Sequence, residues 1–573
     1  MLLRTTSTGL RTAAPRRGGF VIVAVLMVIT VLSLAAYQYS ALMDAEVMAA
    51  ERIRKTAEAK ALADSGVHFA LAVTADPDAF AGYLNSNPYD NAGVFQSVLV
   101  KEGGSARSQG RFSLMSIDYA AEAGVDSLPT RFGLTDEAGK LNPNALFALD
   151  SSGRVLHDAL MALPNMTDDV AWSIVDWIDP DEEPNTGGAE AQYYLGRQPS
   201  YQCKNAPLDT IEELLLVKGV TPSLLFGTDR NRNGRLDPGE DDGLGFNPGW
   251  AAYLTVYSRE RNVNNEGNPR INLNGNDLTL LQNDLTNAVG PELTTFILGY
   301  RLFGSGSGGR GGQPKKGGGG AQIQIVIDGS FADLEQRVKQ AIDQGTQPRQ
   351  RISSLFALVN ATISIQQQQG SGGGGGSDRP RPKGKGGNDN GPPSGGGSSG
   401  GPGSGSGGGQ NQPQISIRFR SPLANQSVQA ELMGKLLDKT TTQQGSELAA
   451  RVNINTAPRE VLLALPGIEE ADADEIIAKR PQFLNGEAPD ASHGTIAWLL
   501  ADGTLPVEML QSLERYITAR TQVYRVQAIG YFDEGGPVAR VEAVIDTNQG
   551  KPRIVYYRDL TDLGRALDPR VGR

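Results

Sequence analysis

Asp229, Asn231, Asn233, Gly234, Arg235, Asp237 and Glu240 fall on one twelve-residue stretch with a spacing that chemistry can use. Oxygens at loop positions 1, 3 and 5 converge on one point, and glycine at 6 permits a sharp turn. The backbone carbonyl at 7 adds a ligand, position 9 contributes directly or through water, and an acid at 12 closes the sphere with two oxygens. The stretch fills this EF-hand pattern completely and predicts a Ca2+ loop over 229–240. Its ligands are the side chains of Asp229, Asn231, Asn233, Asp237 and Glu240 and the carbonyl of Arg235, with Leu236 packing beneath. Pro238-Gly239 and residues 241–245 do not read as a second flanking helix, so the loop is EF-like rather than part of a helix–loop–helix pair. The alternative is an Asn/Gly-rich turn without metal. A second acidic cluster comprises Asp176, Asp179, Asp181, Glu182, Glu183 and Glu190. Oxygen-only donors suit a hard cation, so Asp176, Asp179, Asp181 and Glu190 form a candidate second site; a solvated acidic loop is the competing reading. Paired carboxylates also serve glycoside hydrolysis. Aromatics are only 6% of the chain and no aromatic-rich cleft signature accompanies the acids, which ranks a secreted, calcium-stabilised carbohydrate-active enzyme low.

Other chemistries find less support. The three histidines, His68, His157 and His493, stand far apart, against a zinc hydrolase or a His-based triad. Cys203 is the single cysteine, so no intrachain disulfide forms. The net charge of −11 disfavours a general nucleic-acid binder. Residues 451–481 resemble a helix-hairpin-helix unit through Leu465-Pro466-Gly467-Ile468. DNA-binding versions offer a second glycine where this chain has Glu469, with Glu470, Asp472, Asp474 and Glu475 beside it. Such a surface repels phosphate, so packing or protein contact is the expected role. A membrane-anchored DNA-uptake or adhesion protein using this unit remains the alternative.

The elements that position these loops begin with Phe20 to Ala36, seventeen residues without charge, proline or glycine. As a helix they rise about 26 Å, the short end of a bilayer span. Four arginines and no acid precede them, which predicts a cytoplasmic N-terminus and export of the remainder. Helix-compatible sequence continues to Thr74, with Leu42, Ala45, Ala49, Ile53, Ala57, Ala61, Val67 and Leu71 along one expected stripe. A cleaved secretory signal, with Ser33-Leu34-Ala35 at its end, is a weaker reading because no polar break follows, and a twin-arginine signal is weaker still because Arg16-Arg17 lacks the usual flanking residues. Arg16-Arg17-Gly18-Gly19/Phe20 resembles a type IV pilin-like leader, cut between Gly19 and Phe20 by a prepilin peptidase with methylation of the new end. Ala24 stands where such leaders usually carry glutamate.

Asp76-Pro77 breaks the helix. Strands are expected at 94–100, 111–119 and 130–135, helices at 166–177 and at 209–218 with Asp209 as cap, then a strand at 322–327 and a helix at 331–342. Strands at 522–532, 538–546 and 553–558 complete the sheet begun near residue 111. The phrase Lys140-Leu141-Asn142-Pro143-Asn144 recurs as Arg270-Ile271-Asn272-Leu273-Asn274 and Arg451-Val452-Asn453-Ile454-Asn455. Each copy is read as a strand end whose asparagine caps the next helix, the last two preceding helices of similar length. A duplication and three unrelated caps stand as equal readings. Residues 304–320 and 370–409 are Gly/Ser/Pro-rich and expected to be flexible.

Taken together these features resemble the GspK family, the large minor pseudopilins of bacterial type II secretion systems. The resemblance rests on Gly19/Phe20 with no acid at Ala24, Asp176-Trp177-Ile178-Asp179-Pro180-Asp181, Gly188-Ala189-Glu190, Glu213-Leu214 with Gly219, and Val452-Asn453-Ile454-Asn455-Thr456-Ala457. It implies an α+β fold: a long transmembrane and amphipathic helix packed on a small antiparallel, pilin-like sheet, with a large mainly helical domain inserted. The boundaries are a leader at 1–19, a stem at 20–75, the first part of the sheet domain at 76–139, the insertion at 140–510 and the closing strands at 511–573. The resemblance further implies bound calcium, no enzymatic activity, and a place at the pseudopilus tip with I-type and J-type minor pseudopilins. It places the chain as a single pass in the inner membrane with its bulk in the periplasm.

Overall fold

The computed structural model describes residues 18–105, 108–121, 124, 126–241, 243, 245–304, 324–366, 414–548 and 551–564. Residues 1–17 and all but Gly304 of the two glycine-rich tracts lie outside the described residues, and so do the expectations made for them.

Gly18–Ala75 is one helix of 58 residues, about 85 Å long. Its apolar N-terminal part is exposed, and it is the one helix among the described residues long and apolar enough to cross a membrane. The C-terminal third packs on a sheet through Ala59, Leu62, Ala63, Val67, Ala70 and Val73. This differs from the expected stripe: Leu42, Ile53, Ala57 and Ala61 are exposed, and only Val67 of that set is fully buried. Periodicity alone favoured a stripe running the helix's whole length, whereas the sheet covers only its last turns. The closest approach selects small residues instead: a Cβ on Gly530 would lie 2.0 Å from the Ala59 carbonyl oxygen. At the break, the Asp76 carboxylate accepts from the amides of Asp78 and Ala79 and starts a new short helix, Pro77–Gly82.

The sheet runs in the order β1 (Val98–Lys101), β2 (Gly110–Ile117), β5 (Val523–Phe532), β6 (Ala539–Asp546), β7 (Arg553–Asp559). Every pairing is antiparallel; β3 (Thr130–Arg131) joins β2 and β4 (Thr135–Asp136) joins β5. Segments about four hundred residues apart in sequence therefore meet, with Leu114 opposite Ala528 and Ala528 opposite Val541. The strand expected at 94–100 is half helix: Ala92–Phe95 forms one turn closed on the Asn91 carbonyl, and the strand starts at Val98. On β6, Val541, Ala543 and Ile545 face the stem helix, while Arg540, Glu542 and Asp546 are buried on the other side. A strand covered on both faces loses the polar alternation of a half-exposed one.

Residues between β4 and β5 form a mainly helical body with its own core, which includes Trp177, Trp250, Phe296, Phe356 and Trp498. Gln324–Asp328 and Phe331–Asp343 are the strand and helix expected there; the strand joins Gln414–Arg420 and Thr362–Gln366 in a small three-stranded sheet. At 209–218 the expected α-helix is a 3-10 helix, Ile211–Leu216, flanked by Thr210 rather than capped by Asp209. Asp209 pairs with Lys204, and Leu215 and Leu216 are exposed.

The three repeated phrases share a different device from the one expected. Each makes a short parallel pairing: Leu141 with Leu254, Ile271–Asn272 with Thr440–Thr441, and Val452–Asn453 with Ile517–Thr518. Only Asn142 caps the following helix, accepting from the Ala145 amide. Asn272 and Asn453 instead accept from the amide two residues on, an Asx turn that bends the chain away from the strand. The helices after the second and third copies are unequal, Leu278–Val289 and Arg459–Leu463, against the similar lengths expected.

Candidate metal centre

Helix Asp168–Ile178 carries Asp176 in its last turn and delivers Asp179 as its C-terminal flank, while Glu190 stands directly before helix Ala191–Leu195. The three carboxylates offer oxygens all within 4.8 Å of one another. They are 0%, 7% and 4% exposed, so the cluster is a buried one rather than a solvated acidic loop. Asp176 is held rigidly: one oxygen accepts from the Asn185 side chain at 2.8 Å and its backbone at 3.2 Å, the other from the Ala189 amide at 2.7 Å. Asp179 Oδ1 and both oxygens of Glu190 are buried without a hydrogen-bond partner. Burial, reinforced by Asp181, Asp176 and Glu190, pushes the Asp179 carboxyl up to about 7; burial also raises Asp176 and Glu190. Three carboxylates crowded with unspent lone pairs fit a hard divalent cation, which supplies the missing positive charge. Asp181 is exposed and its carboxylate turns to the Glu183 amide, so the structure does not bring it into the triad.

The neighbouring motif residues are supports. Trp177 donates its indole N–H to Glu213 at 2.9 Å. Gly219, at φ 82°, leaves room for Val170. Gly188 is required by contact, since a Cβ there would sit 1.9 Å from Asp176 Oδ2. Cys203 borders the cluster; its thiol lies 3.7 Å from the Asp176 carbonyl oxygen, and burial pushes it up to about 12. The sequence reading gave this cysteine no place, and a lone cysteine carries no positional signal that would have done so.

The 229–240 loop is also formed. Gly234 takes φ 76° at the sharp turn, and Asp229, 6% exposed, accepts from the amides of Asn233 and Gly234 at 2.9 and 2.8 Å. Glu240 reaches back to the Asn231 amide at 3.0 Å. Asn231 and Asn233 both turn their amide nitrogens to Asp237, at 2.6 and 3.0 Å. Rotating both amides would aim oxygens at the same centre without moving the backbone. The loop is pinned to the sheet domain. Arg540 of β6 donates to the carbonyls of Asn231 (2.7 Å) and Arg232, and the amides of Leu128 and Leu236 close a ladder at 3.0 and 2.8 Å.

In the hairpin unit the acids are largely committed. Glu469 and Asp472 make a reciprocal capping box, Asp474 and Glu470 pair with Arg459, and Glu475 pairs with Lys479. The preceding asparagine-rich phrase welds this unit to the sheet domain: Asn453 and Thr456 donate to Asp136 of β4 at 2.7 and 2.6 Å.

A membrane-length stem running into a helix that packs on an antiparallel sheet, with a helical body inserted between the strands, defines a pilin-like subunit with an elaborated head. Two family models match, both described as type II secretion system (T2SS), protein K: one over residues 134–226, from the edge of β4 into that insertion, and one inside it over residues 452–491. The first contains the acidic triad and the second the sheet-welding phrase. A type II secretion system protein K from Klebsiella pneumoniae is 39% identical over 49 residues, 9% of this chain and 15% of that relative's length. The crystal structure of the GspK-GspI-GspJ complex from the enterotoxigenic Escherichia coli type 2 secretion system aligns with 10% identity, over 90% of this chain and 98% of that one. Its TM-score is 0.31, too low to carry argument.

Proposed function

We propose that this chain is a minor pseudopilin of a type II secretion system, a structural rather than catalytic subunit that initiates or caps the tip of the pseudopilus for export of folded proteins. The observation that carries the reading is the single continuous helix, apolar below and docked on the sheet above, bearing a protein K insertion. The stem crosses the inner membrane with its N-terminus in the cytoplasm, a prepilin peptidase cuts between Gly19 and Phe20, and the new end is methylated. I-type and J-type minor pseudopilins pack beside the stem. At the tip, Ala24 in place of an acid fits a subunit with no neighbour's amino terminus to pair above it, and the bulky insertion hinders further stacking.

Ca2+ is the cation that the oxygen-only triad and the 229–240 loop suit best. Asp176, Asp179 and Glu190 hold one ion; Asp229, Asn231, Asn233, Asp237, Glu240 and the Arg235 carbonyl hold another. The test of the functional reading is mass spectrometry of the native chain together with co-purification. A mature N-terminus at methylated Phe20 and recovery with I-type and J-type pseudopilins from membranes are expected. A soluble polypeptide beginning near Ala36 would refute it.

A further inference from the structure

Arg540 of β6 is 1% exposed, one of the largest side chains the protein buries completely. A buried guanidinium is costly unless its donors are spent, and here Nε has no partner. The other two nitrogens leave the sheet domain for the 229–240 loop. Nη1 donates to the Asn231 carbonyl at 2.7 Å and Nη2 to that of Arg232.

Those two carbonyls are the outer ends of peptide groups whose inner ends meet the loop's first ligand. The peptide joining Asn231 and Arg232 donates its N–H to the Asp229 carbonyl at 3.3 Å. The peptide joining Arg232 and Asn233 donates its N–H to Asp229 Oδ1 at 2.9 Å. A trans peptide is rigid and its C=O and N–H point opposite ways, so holding one end aims the other. The bonds also polarise one another in series, from guanidinium through peptide to carboxylate. Arg540 therefore orients Asp229 through the backbone between them. The strand grips the loop again two residues on. Glu542, on the same face of β6, pairs with the Arg232 guanidinium at 3.6 Å. That guanidinium also meets Glu212 at 3.0 Å and lies 4.9 Å from the centre of the Phe226 ring. These anchors hold Arg232 at φ 58°, a left-handed conformation uncommon for a residue with a side chain, and so set the two peptides that Arg540 holds.

We propose that Arg540 is a positioning residue for Ca2+ in the 229–240 loop, and that the bound ion in turn tightens the sheet domain against the inserted body. The inference rests on the calcium reading of that loop. Coupling between two sites is reciprocal: an arginine that favours the ion-ready loop is itself held more firmly once the ion is bound. The test titrates the full chain in detergent micelles with Ca2+ by calorimetry. The binding event missing from the Asp229→Ala/Glu240→Ala double variant belongs to the loop. Arg540→Gln should weaken that event about tenfold and leave the remaining binding unchanged. Arg540→Lys, whose single ammonium lacks the fork that spans two carbonyls, should fall between. Hydrogen exchange read by mass spectrometry supplies the reciprocal measurement. Ca2+ should slow the amides of 539–546 in the unaltered chain, but not in the double variant or in Arg540→Gln. An arginine with a merely structural role would change exchange equally with and without Ca2+. If Arg540→Gln fails to fold, Arg540→Lys and exchange in the unaltered chain decide. No event lost in the double variant would overturn the calcium reading of the loop and this inference with it. A loop event of unchanged or higher affinity in Arg540→Gln, or exchange at 539–546 indifferent to Ca2+ in the unaltered chain, overturns the inference alone and leaves the calcium loop standing.

Discussion

At the scale of single residues, the acidic triad is a problem of uncompensated charge. Asp176 is oriented by Asn185 and Ala189, whereas Asp179 and Glu190 keep buried oxygens that no protein donor reaches. Gly188 is the residue that lets Asp176 turn inward. Gly188→Ala would place a methyl group on Asp176 Oδ2, and the carboxylate must swing away. Isothermal titration with Ca2+ should then show affinity lowered tenfold or more, with helix content unchanged by circular dichroism. At the second loop, Asp229→Ala with Glu240→Ala should abolish the part of the Ca2+-induced rise in melting temperature due to that loop. Melting in chelator should change little, since both carboxylates then contribute crowding as well as hydrogen bonds. Equal melting of both proteins with and without calcium would remove the metal assignment. Both groups of acids were visible in the sequence because ligand spacing is a local property. The exclusion of Asp181 was not, because a turn to the Glu183 amide leaves no trace in spacing.

At the scale of elements, sequence patterns located most strands and helices but misplaced the face of the stem. Leu42, Ile53 and Ala61 are apolar in period, yet no sheet reaches them. Ala59, Ala63 and Gly66 are buried because the helix lies so close that larger residues do not fit; a Cβ on Gly66 would be 2.9 Å from Leu114. Close packing selects small side chains, and small side chains carry little hydrophobic signal. The two assignments predict opposite results. Ala63→Leu should overpack the helix–sheet contact and destabilise by about 1–3 kcal/mol in urea unfolding. Ala61→Leu, on the exposed side, should stay within about 0.5 kcal/mol. The short 3-10 helix at Ile211–Leu216 escaped because the expected cap, Asp209, is spent on Lys204 and leaves Thr210 at the helix start.

At the scale of the whole molecule, the sheet domain and the inserted body are joined by a buried ionic seam that no sequence pattern announces, because its members lie hundreds of residues apart. Glu137, fully buried beside β4, accepts from Arg525 of β5 at 2.7 Å and from Thr255 of the insertion, with Lys140 at 3.4 Å. Arg525 also donates to Glu542 of β6 at 2.8 Å. Burial alone would raise the Glu137 carboxyl, but Arg525 and Lys140 outweigh it and hold it down at about 2. A carboxylate depressed in the folded state gives stability that is fully present above its unfolded value, near 4.5, and lost as pH falls through the folded value. Asp179 acts oppositely in the metal-free protein. Raised to about 7, it keeps its proton when folded, so stability falls as pH climbs from about 4 to 7 and levels off above. With calcium chelated, the urea midpoint of the full chain should therefore rise on acidification from pH 7 towards 4.5, then fall steeply towards pH 2. The Glu137 share of that fall is on the order of 3 kcal/mol. Glu137→Gln should be less stable at pH 7, because Arg525 loses half its neutralisation, but should show a shallower decline below pH 4.5. An acid limb of equal slope in both proteins would mean that the seam does not couple the two bodies through this carboxylate.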